Sequence, residues 1–388
     1  MPPSPPAAVS PFPIALLALA GFLAGMGIRA TDALLPVIAE DFAVSVPAAG
    51  IIVTAFTLPY GLLQLVFGPL GDRFGKLRVV SIALGLYALA TLACAAAGSL
   101  PQLVVLRAFA GGFAGGLMPL SVAYIGDAVP YTERQAAIGR YLTGVVMAQL
   151  FSGPVGGVFG DTLGWRGLFI LLGGLSLAGA VAIARRAGPA PETAGAGFGM
   201  QKFILLFRRP ASRLLMLGGF FDGVLLFGAF SFVGGYLRDS FGLPYTQVGL
   251  VVAAFGAGTL LYTRVAGWLV RNLGERRMLA TGGALQAILL VALVRIPDWR
   301  FLFLVQAVMG LAFFMFHGVL QARSTEAMPE ARATAVSGFS MMMFTGQALG
   351  ALALAAAVTH LGWQASYAIW GAGVAVLTVV LTTRLRFR

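Results

Sequence analysis

The chain has 388 residues, 59% of them hydrophobic and 10% charged, with a mean hydropathy of +0.90. A soluble domain carries about 25% charged residues, so the composition excludes a water-soluble globular protein and points to a polytopic membrane protein. The formal net charge is +12, but the cations fall in short turns between apolar runs, which argues against a nucleic-acid partner. Gly 52 is high, as expected where small residues let helices pack closely in lipid.

A membrane-spanning helix needs roughly 20 apolar residues. Reading in order gives twelve such runs, at about 13–38, 47–69, 77–98, 101–126, 135–159, 165–184, 212–236, 245–269, 278–295, 299–322, 333–359 and 364–384. Met1 to Pro13 has no Lys or Arg. It lacks the basic start of a cleaved signal peptide, so the first run is expected to stay as a helix. Cys94 lies in an apolar run and implies neither a disulfide nor a metal site.

The even-numbered connections hold Arg73, Lys76, Arg78, Arg134, Arg140, Arg185, Arg186, Lys202, Arg208, Arg209, Arg271, Arg276, Arg277, Arg323 and Arg332. The odd-numbered ones hold only Arg166, Arg238, Arg295 and Arg300. This asymmetry predicts that both termini and the even-numbered connections lie in the cytoplasm. Arg264, near the cytoplasmic end of helix 8, is expected to snorkel.

The longest connection divides the chain. Ala187 to Gly199 is rich in Gly, Ala and Pro and reads as a flexible linker. Met200 to Phe207 reads as a short interfacial helix flanked by Lys202, Arg208 and Arg209. The expected domains are residues 1–186, the linker 187–211, and 212–388. The two halves repeat at a spacing of about 199 residues. Gly68-Pro69-Leu70 matches Gly267-Trp268-Leu269, Gly75 matches Gly274, Arg107 through Gly111 matches Gln306 through Gly310, Gly164-Trp165 matches Gly362-Trp363, and Phe42 matches Phe241. Arg271 falls where Asp72 would be. Repeated halves of this kind underlie alternating-access transporters.

The turn between helices 2 and 3 reads Gly68-Pro69-Leu70-Gly71-Asp72-Arg73-Phe74-Gly75-Lys76-Leu77-Arg78. It resembles the G-x-L-[GA]-D-R-x-G-[RK]-[RK] signature of the major facilitator superfamily of secondary transporters, departing only at Leu77. Helix 4 carries Arg107-Ala108-Phe109-Ala110-Gly111, similar to that family's R-x-x-x-G. Helix 5 carries Gly153-Pro154-Val155-Gly156-Gly157, similar to part of the G-P-x-x-G-G motif of drug:proton antiporters, with Val158 and Gln149 where further glycines are expected. A Gly-Pro pair inside a helix also kinks it and permits close packing whatever is carried. Asp32-Ala33-Leu34-Leu35-Pro36 and Gly164-Trp165-Arg166 are similar to the D-x-x-L-P and G-W-R patterns of the same subgroup. The resemblance implies an all-α polytopic membrane protein of the major facilitator fold, with twelve transmembrane helices in two pseudo-symmetric six-helix bundles. It also implies that Gly68, Asp72, Arg73, Gly75, Lys76 and Arg134 form a conformational switch. In it Asp72 meets the cytoplasmic start of helix 11, near Thr334 and Arg332, or pairs with Arg134.

A charge inside hydrocarbon is costly and marks a functional or a paired structural site. Arg29 and Asp32 fall in helix 1, Arg107 in helix 4, Asp222 in helix 7 and His317 in helix 10. In the resembled family these helices line the central cavity. At roughly 1.5 Å per residue, Asp32 lies about 12 Å and Arg107 about 9 Å from the outer ends, and Asp222 about 13 Å and His317 about 9 Å from the inner ends. The expectation is that Asp32 is the protonation switch, with Arg107 and Arg29 as regulators. The alternative is a static salt-bridge cluster. Asp222 and His317 are expected to meet in the inner half of the second bundle. His317 is either a proton relay or a bundle hydrogen bond.

Helices 7, 10 and 11 are rich in Phe and Met, which form adaptable surfaces for varied lipophilic ligands. The expected substrate-cavity residues are Asp222, His317, Gln306, Met118, Phe221, Phe314 and Gln347. No phosphate loop, metal spacing or nucleophile elbow is present in the sequence, so neither an enzyme nor a cofactor is expected. The resulting expectation is a proton-coupled antiporter exporting small amphipathic or lipophilic compounds. Its partners are a small-molecule substrate, protons and the lipid bilayer. It is expected to act as a monomer in a bacterial inner membrane. Export of a sugar, amino acid or other polar metabolite is the alternative within transport, and a receptor or sensor the alternative outside it.

Overall fold

In the computed structural model the described residues are 12–187, 200–328 and 331–385. The flexible linker expected at Ala187 to Gly199 lies almost wholly outside them. Among the described residues ten helices are long and apolar enough to cross a membrane, and two of them break at a non-helical glycine, Gly274 and Gly362, which gives twelve segments. They are α1 (Phe12–Asp41), α2 (Val46–Phe74), α3 (Lys76–Ala95), α4 (Leu100–Ala128), α5 (Tyr131–Asp161), α6 (Gly164–Ala184) and α7 (Ser212–Phe241), then α8 (245–273), α9 (275–293), α10 (Trp299–Ser324), α11 (332–361) and α12 (363–384). The chain is an integral membrane protein. The expected short linker helix spans Met200–Arg208, and it packs Leu206 and Phe203 near Gly338 of α11.

Glycine in the left-handed region makes the tight reversals. Gly75 (φ 87°) turns α2 into α3, and Gly274 (φ 69°) turns α8 into α9. Gly164 (φ 70°) opens α6, and Gly362 (φ 75°) joins α11 to α12. Only a residue without Cβ takes these angles cheaply. Both pairs are partners in the sequence repeat, so the repeat is a repeat of turns.

It is a repeat of packing as well. A methyl on Gly111 of α4 would stand 2.0 Å from the Phe56 carbonyl oxygen of α2, and one on Gly310 of α10 would stand 2.0 Å from that of Phe255 in α8. Each half thus holds two helices at backbone contact through the same glycine, in keeping with small residues at membrane helix interfaces.

Three differences from the expected runs matter. First, α1 continues through Pro36 to Asp41. There Asp41 Oδ2 accepts from Trp165 Nε1 at 3.1 Å and from Arg166 Nη1 at 2.5 Å, and Arg166 Nη2 donates to the Ala97 carbonyl at 3.1 Å. The Gly-Trp-Arg stretch therefore staples α6 to the end of α1. Second, α4 is interrupted at Gly115 and Gly116. Third, α7 changes winding after Asp222, where Gly223–Phe227 forms a π-turn. Such bulges are rare and are frequent at functional sites.

Candidate functional site

The centre of the molecule is an ion pair in α1. Arg29 Nη1 lies 3.4 Å from Asp32 Oδ2, one turn apart on one face. The two side chains are 4% and 1% exposed. Their cover comes from the other half. The Arg29 guanidinium lies 4.1 Å from the ring centre of Phe227 and 5.4 Å from that of Phe230, both in α7. Aromatic faces attract a cation in this geometry. Ser231 of α7, whose hydroxyl donates to the Phe227 carbonyl at 3.2 Å, stands beside Asp32. Asp32 Oδ1 is buried without a hydrogen bond among the described residues.

Arg107 does not complete this pair. Its Nη1 donates to the Gly27 carbonyl of α1 at 3.0 Å, and its guanidinium lies over Phe56 at 4.2 Å. Arg29 is therefore the direct partner of Asp32. Arg107 instead holds the α1 backbone more than a turn away, at the Gly27 carbonyl, which also accepts from Thr31 Oγ1 at 3.2 Å.

Asp222 and His317 do meet: Asp222 Oδ2 lies 2.7 Å from His317 Nδ1, and both are buried. The imidazole stacks on Phe313 at 4.7 Å between centroids and 17° between planes. The pair sits inside the C-terminal half, between α7 and α10, with Phe339 of α11 at 5.5 Å. If it serves to join helices, Asp222→Leu or His317→Phe alone leaves a buried polar partner and costs about 3–5 kcal/mol, whereas replacing both together restores much of that. Melting curves of the two single variants and the double variant check this.

The other expected cavity residues scatter. Gln306 is buried and lines a cavity of about 10 Å³ inside the C-terminal half, with Leu226, Phe230 and Met309. Gln347 is fully buried, with both amide atoms unpaired among the described residues. Phe314 is half-buried and stacks on Tyr262 of α8 at 5.7 Å. Met118 is half-buried against the core of the N-terminal half. Phe221 is 44% exposed and meets Phe220 edge-on.

At the α2–α3 turn, Lys76 lies 3.1 Å from Asp72 and also bonds Asp127 at the end of α4. Arg73 folds over the Phe74 ring at 5.1 Å. Nothing lies within 4 Å of a methyl built on Gly68. Arg134 Nη2 donates to the Val129 carbonyl at 3.5 Å. The Arg332 side chain lies outside the described residues. Asp127 was not legible as a member of this cluster, since only the packing of α4 brings it there.

The halves meet along α5 and α8. A methyl on Gly153 would stand 2.3 Å from the Gly249 carbonyl oxygen, and one on Gly249 would stand 2.0 Å from that of Gly153. A methyl on Gly157 would stand 2.3 Å from the Tyr245 carbonyl oxygen, and Pro154 lies within α5. The glycines of the helix 5 motif thus bring two helices of different halves to backbone contact. Hydrogen bonds join the halves nearby, from Thr54 Oγ1 to the Ala348 carbonyl at 2.8 Å and from Arg238 Nη2 to Glu40 Oε1 at 3.5 Å.

All of this lies toward the face opposite the chain termini. Followed toward the terminal face, the same stripe of α5 runs on to Val146, Thr143 and Gly139, and that of α8 to Leu260, Thr263 and Gly267. Thr143, Gly139, Thr263 and Gly267 are exposed. The backbone contacts between α5 and α8 thus fall in the part of the seam away from the chain termini.

Two repeated six-helix halves in backbone contact, with a buried charge pair where they meet, fit a secondary transporter. A family model of the Major Facilitator Superfamily matches residues 17–234 and 215–388, and the chain belongs to that family. It is 28% identical over 338 residues to the MFS-type transporter YceJ of Bacillus subtilis (strain 168), covering 85% of each chain. It is 27% identical over 381 residues to a chloramphenicol resistance protein of Streptomyces lividans, covering 96% of this chain and 95% of that one. Among solved structures, that of the nucleoside transporter NupG superposes with a TM-score of 0.78 at 13% identity, over 97% of this chain and 99% of that one. The D-xylose–proton symporter gives 0.76 at 19% identity, over 97% and 99%. These likenesses confirm the fold.

Proposed function

We propose that this transporter is a proton-coupled antiporter that exports small amphipathic or lipophilic compounds by alternating access. Its terminal face lies in the cytoplasm of a bacterial cell. The observation that carries the reading is the buried Arg29–Asp32 pair, held in one half and covered by Phe227, Phe230 and Ser231 of the other. Arg29 lies beside that carboxylate as its counter-charge. When the halves rock, α7 lifts away, water reaches Asp32 from outside, and a proton neutralises the carboxylate and frees Arg29. When the halves close outside and open inside, the proton leaves and the Arg29–Asp32 pair re-forms. The chloramphenicol resistance protein among the relatives supports a lipophilic cargo, as do the Phe- and Met-rich helices of the second half.

The switch at Asp72 belongs to the same cycle. Asp72→Asn is expected to weaken transport with little loss of folded protein. Its side chain is 45% exposed, and Lys76 keeps Asp127. An equal loss of folded protein would make Asp72 structural.

The test of the whole reading is a substrate panel on the reconstituted protein, with luminal pH recorded. Lipophilic compounds are expected to move against a counterflow of protons. Movement of sugars or amino acids in their place would establish a polar cargo, and substrate movement with no pH change would remove the coupling.

A further inference from the structure

Asp161 is the last residue of α5, yet its carboxylate is spent on the other half. Its Oδ1 accepts from the Tyr245 backbone N–H at 3.0 Å. Its Oδ2 accepts from the Thr246 N–H at 2.7 Å and from the Thr246 hydroxyl at 2.6 Å. Tyr245 and Thr246 open α8. The first N–H groups of a helix have no partner within it, and a side-chain oxygen, best an anionic one, satisfies them.

The repeat shows why this is unusual. The residue preceding α2 is Ser45 (φ −71°, ψ 152°), and its own hydroxyl accepts from the Ala48 N–H at 3.3 Å. The matching residue, 199 positions on, is Pro244 (φ −57°, ψ 149°), which makes no side-chain cap. The backbone angles are nearly the same, so the difference is one of chemistry. α2 carries its cap within its own half, while α8 receives one from across the junction. Thr359 and His360, which match Asp161 at spacings of 198 and 199, are both exposed at the end of α11.

We infer that Asp161, Tyr245 and Thr246 form the outer gate of the transport cycle. In it, α8 is capped only while the outer side is closed, so the capping bonds themselves bias the protein toward its inward-open state. This deepens the alternating-access reading and rests on it. Opening the outer side must pull Asp161 from α8, since the bonded atoms belong to different halves. Arg238, 4.5 Å from the Tyr245 ring centre and paired with Glu40, lies on the same seam. Asp161 is a positioning residue here, because it need never touch the cargo.

The test is a distance measurement between spin labels at Leu163→Cys and Leu361→Cys in a Cys94→Ala background. These two sites are 71% and 54% exposed, one in each half near the outer face. The protein is reconstituted in lipid and measured at neutral and acid pH. Loss of a helix cap is expected to shift the closed-to-open ratio by roughly fivefold or more, so Asp161→Ala should populate the longer outer distance at neutral pH. Asp161→Asn, which keeps an acceptor, should shift it less. Pro244→Ser in the Asp161→Ala background should leave the longer distance populated, because it restores the order of α8 without a bond between the halves. An unchanged distribution in Asp161→Ala, or its full rescue by Pro244→Ser, overturns the inference while alternating access stands. A single outer distance in the unaltered protein at both pH values would overturn alternating access and the gate together.

Discussion

Asp32→Asn is expected to reduce proton-driven transport to the level of protein-free vesicles, while downhill substrate exchange persists without its pH dependence. The amide keeps the size of the carboxylate and an oxygen facing Arg29, but it cannot exchange a proton. Removing one member of a buried pair outright costs about 3–5 kcal/mol, so Asp32→Ala would confuse lost coupling with lost folding. The Asn variant limits that cost and isolates the charge. Arg29→Lys is the companion variant. It retains the cation but loses the flat guanidinium that lies over Phe227. Flux under an imposed gradient, compared with exchange at equal pH, separates the two. Gradient-driven flux that persists unchanged in Asp32→Asn makes Asp32 a structural residue.

The second large effect is expected at the helix 5 glycines. In Gly153→Val the first added carbon already falls 2.3 Å from a backbone oxygen of the other half, and a backbone cannot step aside as a side chain can. Overpacking costs about 1–3 kcal/mol, and each 1.4 kcal/mol is about tenfold in an equilibrium. The cost falls only on the state in which α5 and α8 touch. The inward-open state should therefore lose roughly tenfold or more of its population, transport should fall with it, and the amount of folded protein should change little. Gly144→Val is the control. There the added carbon meets the Ala18 carbonyl oxygen at 2.2 Å within one half, so folded protein itself should be lost. Yield and flux measured on both variants decide between a gate and a packing contact.

These two predictions differ in how far the sequence anticipates them. The twelve helices are legible because each must bury a backbone in lipid, and the apolar length this demands is hard to disguise. The repeat is legible because glycine is needed at the same turns, Gly75 with Gly274 and Gly164 with Gly362. Asp32 stands out because a carboxylate in an apolar run is costly. Its partner was harder to find. Arg29 and Arg107 are both within reach by depth, and only the facing of α4 sends Arg107 to the Gly27 carbonyl. The cover on the pair, from Phe227, Phe230 and Ser231, depends on how the halves dock, and helical periodicity says nothing about that. The same holds for Asp161. As a terminal acid it looks like ordinary surface, and only the Ser45–Pro244 mismatch hints at it. Gln306 matches Arg107 in the repeat, and its buried amide lies with Leu226 and Phe230 of α7, a neighbourhood that the repeat alone does not give.

The central claim is that the Arg29–Asp32 site is reached by water from each side in turn. Ser231 stands beside Asp32 and can be replaced by Cys with little change in volume. In a Cys94→Ala background, Ser231→Cys is treated with a membrane-impermeant thiol reagent from either side of sealed vesicles. The claim predicts modification from one face in the resting protein and from the other once a proton gradient and a transported compound drive turnover. A thiol that reacts from neither side, or from the same side under every condition, would contradict it.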